Sequence, residues 1–323
     1  MLNLFDKKLA VFNETLLHKI FPKYPLELYE PCEYFLSIGG KRIRPLMCFV
    51  GNLLFNQEHP ETNKLAMAIE LFHNFTLMHD DIMDQSLLRR NKETVHIKYS
   101  QSTAILSGDV MLINAYKLLE NIKEPHFSKI FKLLNQTAAE VCEGQQYDMI
   151  FEKKENIIID EYMNMIRLKT AVLFACALEM GAIMGNASAD NLFHIRQFGL
   201  NLGLAFQIQD DYLDSFGTEK DFGKMIGNDI LHQKKTILSV YLLSHATDAF
   251  LYQFHNLNNP IKPEHIPSIL KLFEACGAKE YTIMKKQELL DIALNHLKQI
   301  VQYNPEYYSW LNQLANNLLL REV

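Results

Sequence analysis

The sequence is poor in chain breakers. Its 323 residues hold 13 glycines and 10 prolines, well under the usual shares of roughly 7% and 5%. A sandwich or barrel of many short strands needs far more turn residues, so such folds are excluded and long helices are expected. Cysteine is scarce as well: there are 5 (Cys32, Cys48, Cys142, Cys176, Cys276), an odd number with no Cys-x-x-Cys pair. That excludes a disulfide framework and a zinc knuckle, and it fits a reducing, cytoplasmic setting. Neither sign of charge dominates, with 38 acids against 32 bases and a formal net charge of -6. The basic footprint of a nucleic-acid binder and the one-sided charge of a disordered chain are both missing. Long apolar runs are missing too. The most apolar stretch, residues 170–185, is too short for a bilayer and carries Glu179 in its interior, so a buried helix is expected there and no stable membrane insertion. The opening MLNLFDKKLAVFNETLLHKIF lacks a continuous apolar core and a small-residue cleavage site, and reads as an amphipathic first helix rather than a leader.

What is present is helical periodicity. Residues 61–107 contain no glycine or proline, and after Pro60 the residues Leu65, Ala68, Ile69, Phe72, Phe75 and Thr76 recur at helical spacing, which predicts a long helix over 61–87. A second runs from Ser188, an N-cap, to about Phe216, with Gly217 as its stop. Further helices are expected near 5–20, 42–56, 102–122, 127–150, 159–184, 234–256, 264–277 and 280–302. Turn chemistry places loops at Ser37 to Arg42, Lys123 to His126, Glu152 to Asn156, Gly217 to Asp229 and Asn256 to Glu264. None is long or biased enough to be a linker, so a single all-α domain over 1–323 is expected.

One pentapeptide recurs. Asp80-Asp81-Ile82-Met83-Asp84 and Asp210-Asp211-Tyr212-Leu213-Asp214 share the pattern DDxxD, far apart in the chain and each near the C-terminal end of one of the two longest expected helices. On a helix, residues i and i+4 share a face, so Asp80 pairs with Asp84 and Asp210 with Asp214. Such carboxylates repel one another and oppose the helix dipole. The usual compensation is a hard divalent cation, and Mg2+ accepts one or two carboxylates while keeping positions for water and phosphate oxygens. A diphosphate is the implied ligand. An acidic run can also be a solvated helix end, but two copies, each preceded by an apolar run, argue for chemistry. Bases stand nearby in Gly39-Gly40-Lys41-Arg42-Ile43-Arg44-Pro45 and in Arg89-Arg90, as a diphosphate site requires. The two glycines before a helix start suit anion binding. His73 precedes Asp80 by two helical turns and so shares its face. A helical histidine among apolar residues is otherwise an ordinary core residue.

With these residues in view, the chain resembles the trans-isoprenyl diphosphate synthases, the farnesyl/geranylgeranyl diphosphate synthase family of polyprenyl synthetases, over nearly its whole length. The matching blocks are GGKRIRP at 39–45, LMHDDIMDQSLLRR at 77–90, SGD at 107–109, GQQYD at 144–148, LKT at 168–170, FQIQDDYLD at 206–214, and GKMIGNDI with KKT at 223–236. The resemblance implies an all-α, isoprenoid synthase-type bundle of long helices around a central apolar cavity, with the two motifs across its mouth. It implies Asp80, Asp84 and Asp210 as principal Mg2+ ligands, completed by Asp81, Asp211 and Asp214, with Gln145 and Asp148 nearby and three ions present once diphosphate is bound. Arg89, Lys169 and Lys224 would contact the diphosphate of an allylic substrate, Thr170 and Gln207 would sit beside its reacting carbon, and Lys234 would assist. Isopentenyl diphosphate would be held by Gly40, Lys41, Arg44, His73 and Arg90. Phe75 and Thr76, with Phe72 one turn deeper, would form the floor that stops growth at C15 to C20. A cytoplasmic homodimer is implied.

The implied reaction is ionisation of the allylic diphosphate, attack by the isopentenyl double bond and loss of a proton. Two departures stand out: Asn91 and Asn228 occupy positions where the family commonly has glycine, and asparagine tolerates the left-handed conformation. Three other readings remain open. The pair His79-Asp80, with His73 and His96 near in sequence, suits an HD-type metal phosphohydrolase. A terpene cyclase of similar fold would share DDIMD but not need Lys41 and Arg44. A non-catalytic partner subunit would usually have lost aspartates, and all six are present.

Overall fold

The computed structural model describes residues 5–18, 20–154, 156–217, 226–257 and 260–320. They are almost entirely helical, and their packing divides the chain into two units that interleave in sequence. The first comprises Met1–Leu134, Cys176–Leu192 and Val301–Trp310, the second Asn135–Ala175, Phe193–Ile300 and Leu311–Val323.

In the first unit, α1 (Asp6–His18), α2 (Leu26–Ser37), α3 (Ile43–Phe55) and α4 (Thr62–Met83) lead to a two-stranded hairpin, β1 (Leu88–Arg89) and β2 (Lys92–Glu93). Then come α5 (Val95–Lys98), α6 (Gln101–Lys117) and the start of α7 (His126–Lys153). Helix α4 packs chiefly on α6 and α3. Apart from Arg44 and Asn52, helix α3 is apolar, and it is buried from Pro45 to Asn52, as a helix inside a core must be. Helix α4 buries every residue from Leu65 to Phe72, and each large apolar side chain so removed from water contributes about 1.5–3 kcal/mol. One polar group in that run is Glu70, 4% exposed, which is satisfied by an ion pair with Arg42 and by Asn74 at 3.1 Å.

In the second unit α7 continues, followed by α8 (Ile159–Ile166), a π-helical turn at Arg167–Ala171 and the start of α9 (Val172–Met184). Next come α10 (Ala189–Phe216), α11 (Asn228–Leu231), α12 (Ile237–His245), α13 (Asp248–Leu257), a 3-10 turn at Pro263–His265, α14 (Ile266–Ala275), α15 (Ala278–Lys298) and the end of α16 (Pro305–Leu320). Helix α12 packs against α15, α8 and α14. Its N-terminus is capped by Thr236, whose Oγ1 accepts from the Ser239 N–H at 3.4 Å.

The all-α expectation holds. Ser188 caps α10 as its sequence indicates, accepting from the Asn191 N–H at 3.2 Å. Helix α2, with Pro31 inside it, and α16 were not expected. The expected helix 159–184 is interrupted by the π turn, and 234–256 breaks at Ala246, whose ψ of 154° is extended. Among the described residues no helix is long and apolar enough to cross a membrane.

Candidate active site

The first aspartate motif ends α4. Asp80 and Asp84 are half-buried and Asp81 is 2% exposed. The hairpin returns Arg89 to the motif. Its Nε donates to both Asp81 carboxylate oxygens at 3.0 and 2.8 Å, its Nη2 donates to Oδ1 at 2.8 Å, and Nη2 stands 3.8 Å from Asp80 Oδ2. Burial works against the Arg89 charge, but Asp81 and Asp80 outweigh it and its pKa is raised. The hairpin turn is formed by Arg90 and Asn91, both left-handed with φ of 51° and 62°, which is the type I′ geometry favoured between twisted strands. Asn91 thus adopts the conformation that glycine would supply. Asn228 does not need it, since Gly227 takes the positive φ of 76° and Asn228 opens α11.

A basic cluster lies beside this motif. Arg44 donates from Nη1 to His73 Nε2 at 3.0 Å, so that nitrogen carries a lone pair and the ring is neutral. Burial, and after it Arg44, Arg89, Arg90 and Arg42, hold His73 well below its usual pKa. His73 therefore orients Arg44 rather than adding charge. Gly40 lies against Arg90, where a Cβ would come within 2.9 Å of Nη1. Lys41 is exposed. Arg42, by contrast, is committed to structure: it pairs with Glu70 and donates to Leu36 O at 3.0 Å and to Asn13 Oδ1 at 3.0 Å. The structure therefore gathers Gly40, Arg44, His73, Arg89 and Arg90 from the expected set.

Phe72 is buried and Phe75 half-buried, their rings 5.8 Å apart, and Thr76 Oγ1 donates to His73 O at 2.8 Å. His79, on α4, turns toward α6: its Nε2 lies 3.2 Å from Ile105 O and 3.8 Å from Asp109 Oδ1, with Phe75 at 4.8 Å between ring centroids. That placement gives the phosphohydrolase reading no support.

The second motif lies in α10 and is arranged differently. Asp210 is half-buried, while Asp211 and Asp214 are 4% and 1% exposed. Asp211 Oδ2 accepts from the Tyr162 hydroxyl at 2.5 Å and the Ile237 N–H at 3.0 Å, and Oδ1 accepts from Gln207 Nε2 at 3.2 Å. Burial pushes the Asp211 carboxyl up to about 7, opposed by those donors. Burial and then Asp211 hold the Tyr162 phenol far above its usual value. Asp214 Oδ2 accepts from the Asp229 N–H at 3.0 Å. Asp211 and Asp214 thereby fix the ends of the segment that carries Lys234, itself half-buried. Asp210 and Asp214 do not form the outward pair that i,i+4 spacing suggests, because Asp214 is turned onto α11.

Two further elements complete this region. In the π turn, Lys169 Nζ pairs with Asp148 Oδ2 of α7 at 2.6 Å and Thr170 Oγ1 donates to Gln207 Oε1 at 3.0 Å. Such turns insert one residue and recur at functional sites. Gly144 permits the approach, since a Cβ there would fall 2.2 Å from the Lys169 backbone nitrogen. Gln145, one turn before Asp148, has a buried Nε2 with no partner among the described residues, a donor available to an incoming acceptor. Lys224 lies outside the described residues. The sequence reading missed Tyr162, whose position two turns before Lys169 was the one available hint.

Among the described residues no three acidic, histidine or cysteine groups form a ready-made metal cage. Mg2+ asks for no such cage, since it takes one or two carboxylates and completes its octahedron with water and substrate phosphate. Asp80, Asp84 and Asp210, the half-exposed carboxylates, are hard oxygen donors of that kind.

The family model described as Polyprenyl synthetase matches residues 25–273. The geranylgeranyl diphosphate synthase of Saccharolobus solfataricus is 36% identical over 311 residues, which cover 94% of this chain and 93% of that protein. A solved geranylgeranyl pyrophosphate synthase superposes with a TM-score of 0.92 at 38% identity, covering 99% of this chain and 100% of the other. The geranylgeranyl pyrophosphate synthase of Corynebacterium glutamicum, solved with isoprenyl diphosphate and magnesium, gives 0.86 at 25% identity over 99% and 98%.

Proposed function

The chain belongs to the polyprenyl synthetase family, and from that premise we propose that it condenses isopentenyl diphosphate with an allylic diphosphate to give an all-trans product of C15 to C20. The chain works as one polyprenyl synthetase domain. Asp80, Asp84 and Asp210 would hold Mg2+, with three ions expected once diphosphate is bound. The observation that carries the reading is the sorting within the motifs: these three carboxylates stay half-exposed, while Asp81, Asp211 and Asp214 are buried.

Bound by these carboxylates, Mg2+ would supply positive charge to the departing diphosphate and so lower the cost of heterolysis of the allylic C–O bond. Arg89 and Lys169 bind the same diphosphate, each leaving a carboxylate partner, Asp81 or Asp148, to do so. Lys224 and Lys234 join them, and Gln145 offers its amide N–H. Thr170 and Gln207 face the allylic carbon with oxygen atoms, where positive charge develops. Gly40, Lys41, Arg44 and Arg90 hold isopentenyl diphosphate, with neutral His73 orienting Arg44. The isopentenyl double bond attacks the cation, and the proton then lost goes to the released diphosphate, so no protein base is needed.

The floor that ends growth is Phe75, backed by Phe72 and Thr76. A homodimer is supported by Leu106 and Ile113 of α6, 60% and 52% exposed, an apolar display that marks an interaction face. The setting is cytoplasmic.

The test is to incubate the protein with Mg2+, radiolabelled isopentenyl diphosphate and each of dimethylallyl, geranyl and farnesyl diphosphate, and to size the products. Chains of C15 to C20 are expected, and no extension of any primer would end the proposal. Phe75→Ala should lengthen the products; unchanged lengths would remove the floor.

A further inference from the structure

Tyr162 lies outside the family blocks described above, yet it anchors a connected chain of hydrogen bonds. Its hydroxyl donates to Asp211 Oδ2, and the Ile237 N–H donates to the same oxygen. The other oxygen, Oδ1, accepts from the Gln207 amide nitrogen at 3.2 Å. The far end of that amide, Oε1, accepts from Thr170 Oγ1 at 3.0 Å. Each link fixes the next. With Asp211 ionised, an amide that turned its oxygen toward it would set acceptor against acceptor, so the nitrogen faces Asp211 and the oxygen faces Thr170. Thr170 then has one place for its proton.

We propose that Tyr162 is a positioning residue for prenyl transfer: through Asp211 and Gln207 it fixes the Thr170 hydroxyl with its proton turned away and its oxygen lone pairs free for the reacting carbon. The inference rests on the proposed function. Tyr162 is 1% exposed, so it does not touch substrate itself, whereas Thr170 and Gln207 are half-buried and open to it. The polarity matters because a hydroxyl stabilises a developing carbocation through its oxygen and opposes it through its hydrogen. A free hydroxyl would have to turn as charge develops, while one already committed to Gln207 is preorganised.

The experiment is a double-mutant cycle read in kcat and in KM for the allylic diphosphate, using the Mg2+-loaded full chain. Tyr162→Phe should lower kcat about tenfold and move KM less than about twofold. In a Thr170→Val background the same change should alter kcat less than about twofold, because the relay then ends on nothing. A second cycle replaces Thr170→Val by Gln207→Leu, which cuts the relay beyond the Tyr162–Asp211 pair, and the same loss of effect is expected. Thermal melts in parallel show which variants fold, and either cycle alone decides. Equal kcat factors in both backgrounds, or a Tyr162→Phe enzyme as fast as wild type, overturn the relay while wild-type product formation keeps the proposed function standing. A wild-type protein that makes no product overturns both.

Discussion

The two aspartate motifs have the same five-residue pattern and are built into the protein in different ways. In the first, the buried carboxylate Asp81 is matched by a cationic side chain, Arg89, at 2.8 Å. In the second, Asp211 and Asp214 are matched by neutral donors that cannot leave: a phenol, two backbone N–H groups and a glutamine amide. An arginine can exchange one anion for another, so in the proposed reaction Arg89 would pass from Asp81 to the diphosphate. The second is arranged as scaffold, with Asp210 alone left half-exposed. A repeated sequence motif therefore specifies a chemical class, and its partners decide how each copy is used.

The largest expected effect tests the sorting directly. Asp80→Asn and Asp210→Asn should each lower kcat about a thousandfold or more, because each removes an anionic metal ligand from the step in which charge separates. Asp81→Asn and Asp211→Asn should cost about ten- to a hundredfold, acting through Arg89 and Gln207. Steady-state turnover at saturating substrates reads this. Inner variants as damaging as the outer ones, with unchanged melting temperatures, would break the distinction.

The regions around the motifs should also respond to pH with opposite sign. His73, beside the first, is held well below the usual histidine value of 6.5. As pH falls below that value the unfolded chain gains a proton that the folded chain does not, so stability is lost on acidification. Asp211, in the second, is raised from 3.8 to about 7. Between those values the folded chain keeps a proton that the unfolded chain has released, so that contribution is lost as pH rises. Each amounts to at most about 1.4 kcal/mol per pH unit. Relative to wild type, metal-free His73→Gln should lose stability more steeply as pH rises from 5 to 6.5, and Asp211→Asn less steeply. Urea midpoints at several pH values measure the slopes, and slopes that move in the same direction would remove the contrast.

Sequence legibility followed the range of the forces involved. The spans of α4 and α10 were readable because apolar spacing, Pro60 and the Ser188 cap are local signals. The start of α16 was also marked, by Asn304, whose Oδ1 accepts from the Glu306 N–H at 3.0 Å, with Pro305 at the first helical position. Helix α2 was hidden by Pro31, and the π turn at Arg167–Ala171 has no composition of its own. Residue type and spacing placed all six motif aspartates in one class, and resemblance ranked Asp80, Asp84 and Asp210 first. What distinguishes the buried aspartates in the fold is invisible locally: the partners Arg89, Tyr162, Ile237 and Asp229 are brought in by tertiary packing. Tyr162 itself reads as one more buried aromatic.

The smallest expected effect concerns the turns beside the motifs. After the second motif the left-handed position is filled by glycine, Gly227, and after the first by Asn91 at φ 62°. Asn91→Gly would relax the left-handed backbone in the folded state but also enlarge the freedom of the unfolded chain. Since asparagine already tolerates that conformation, the two terms nearly cancel and the change should be within about 0.5 kcal/mol. Activity should stay near wild type, because β1 and β2 keep their register and Arg89 its reach to Asp81. A melting temperature that falls well beyond this range would mean that the Asn91 side chain holds the hairpin, and that the first motif depends on its turn more than the second does.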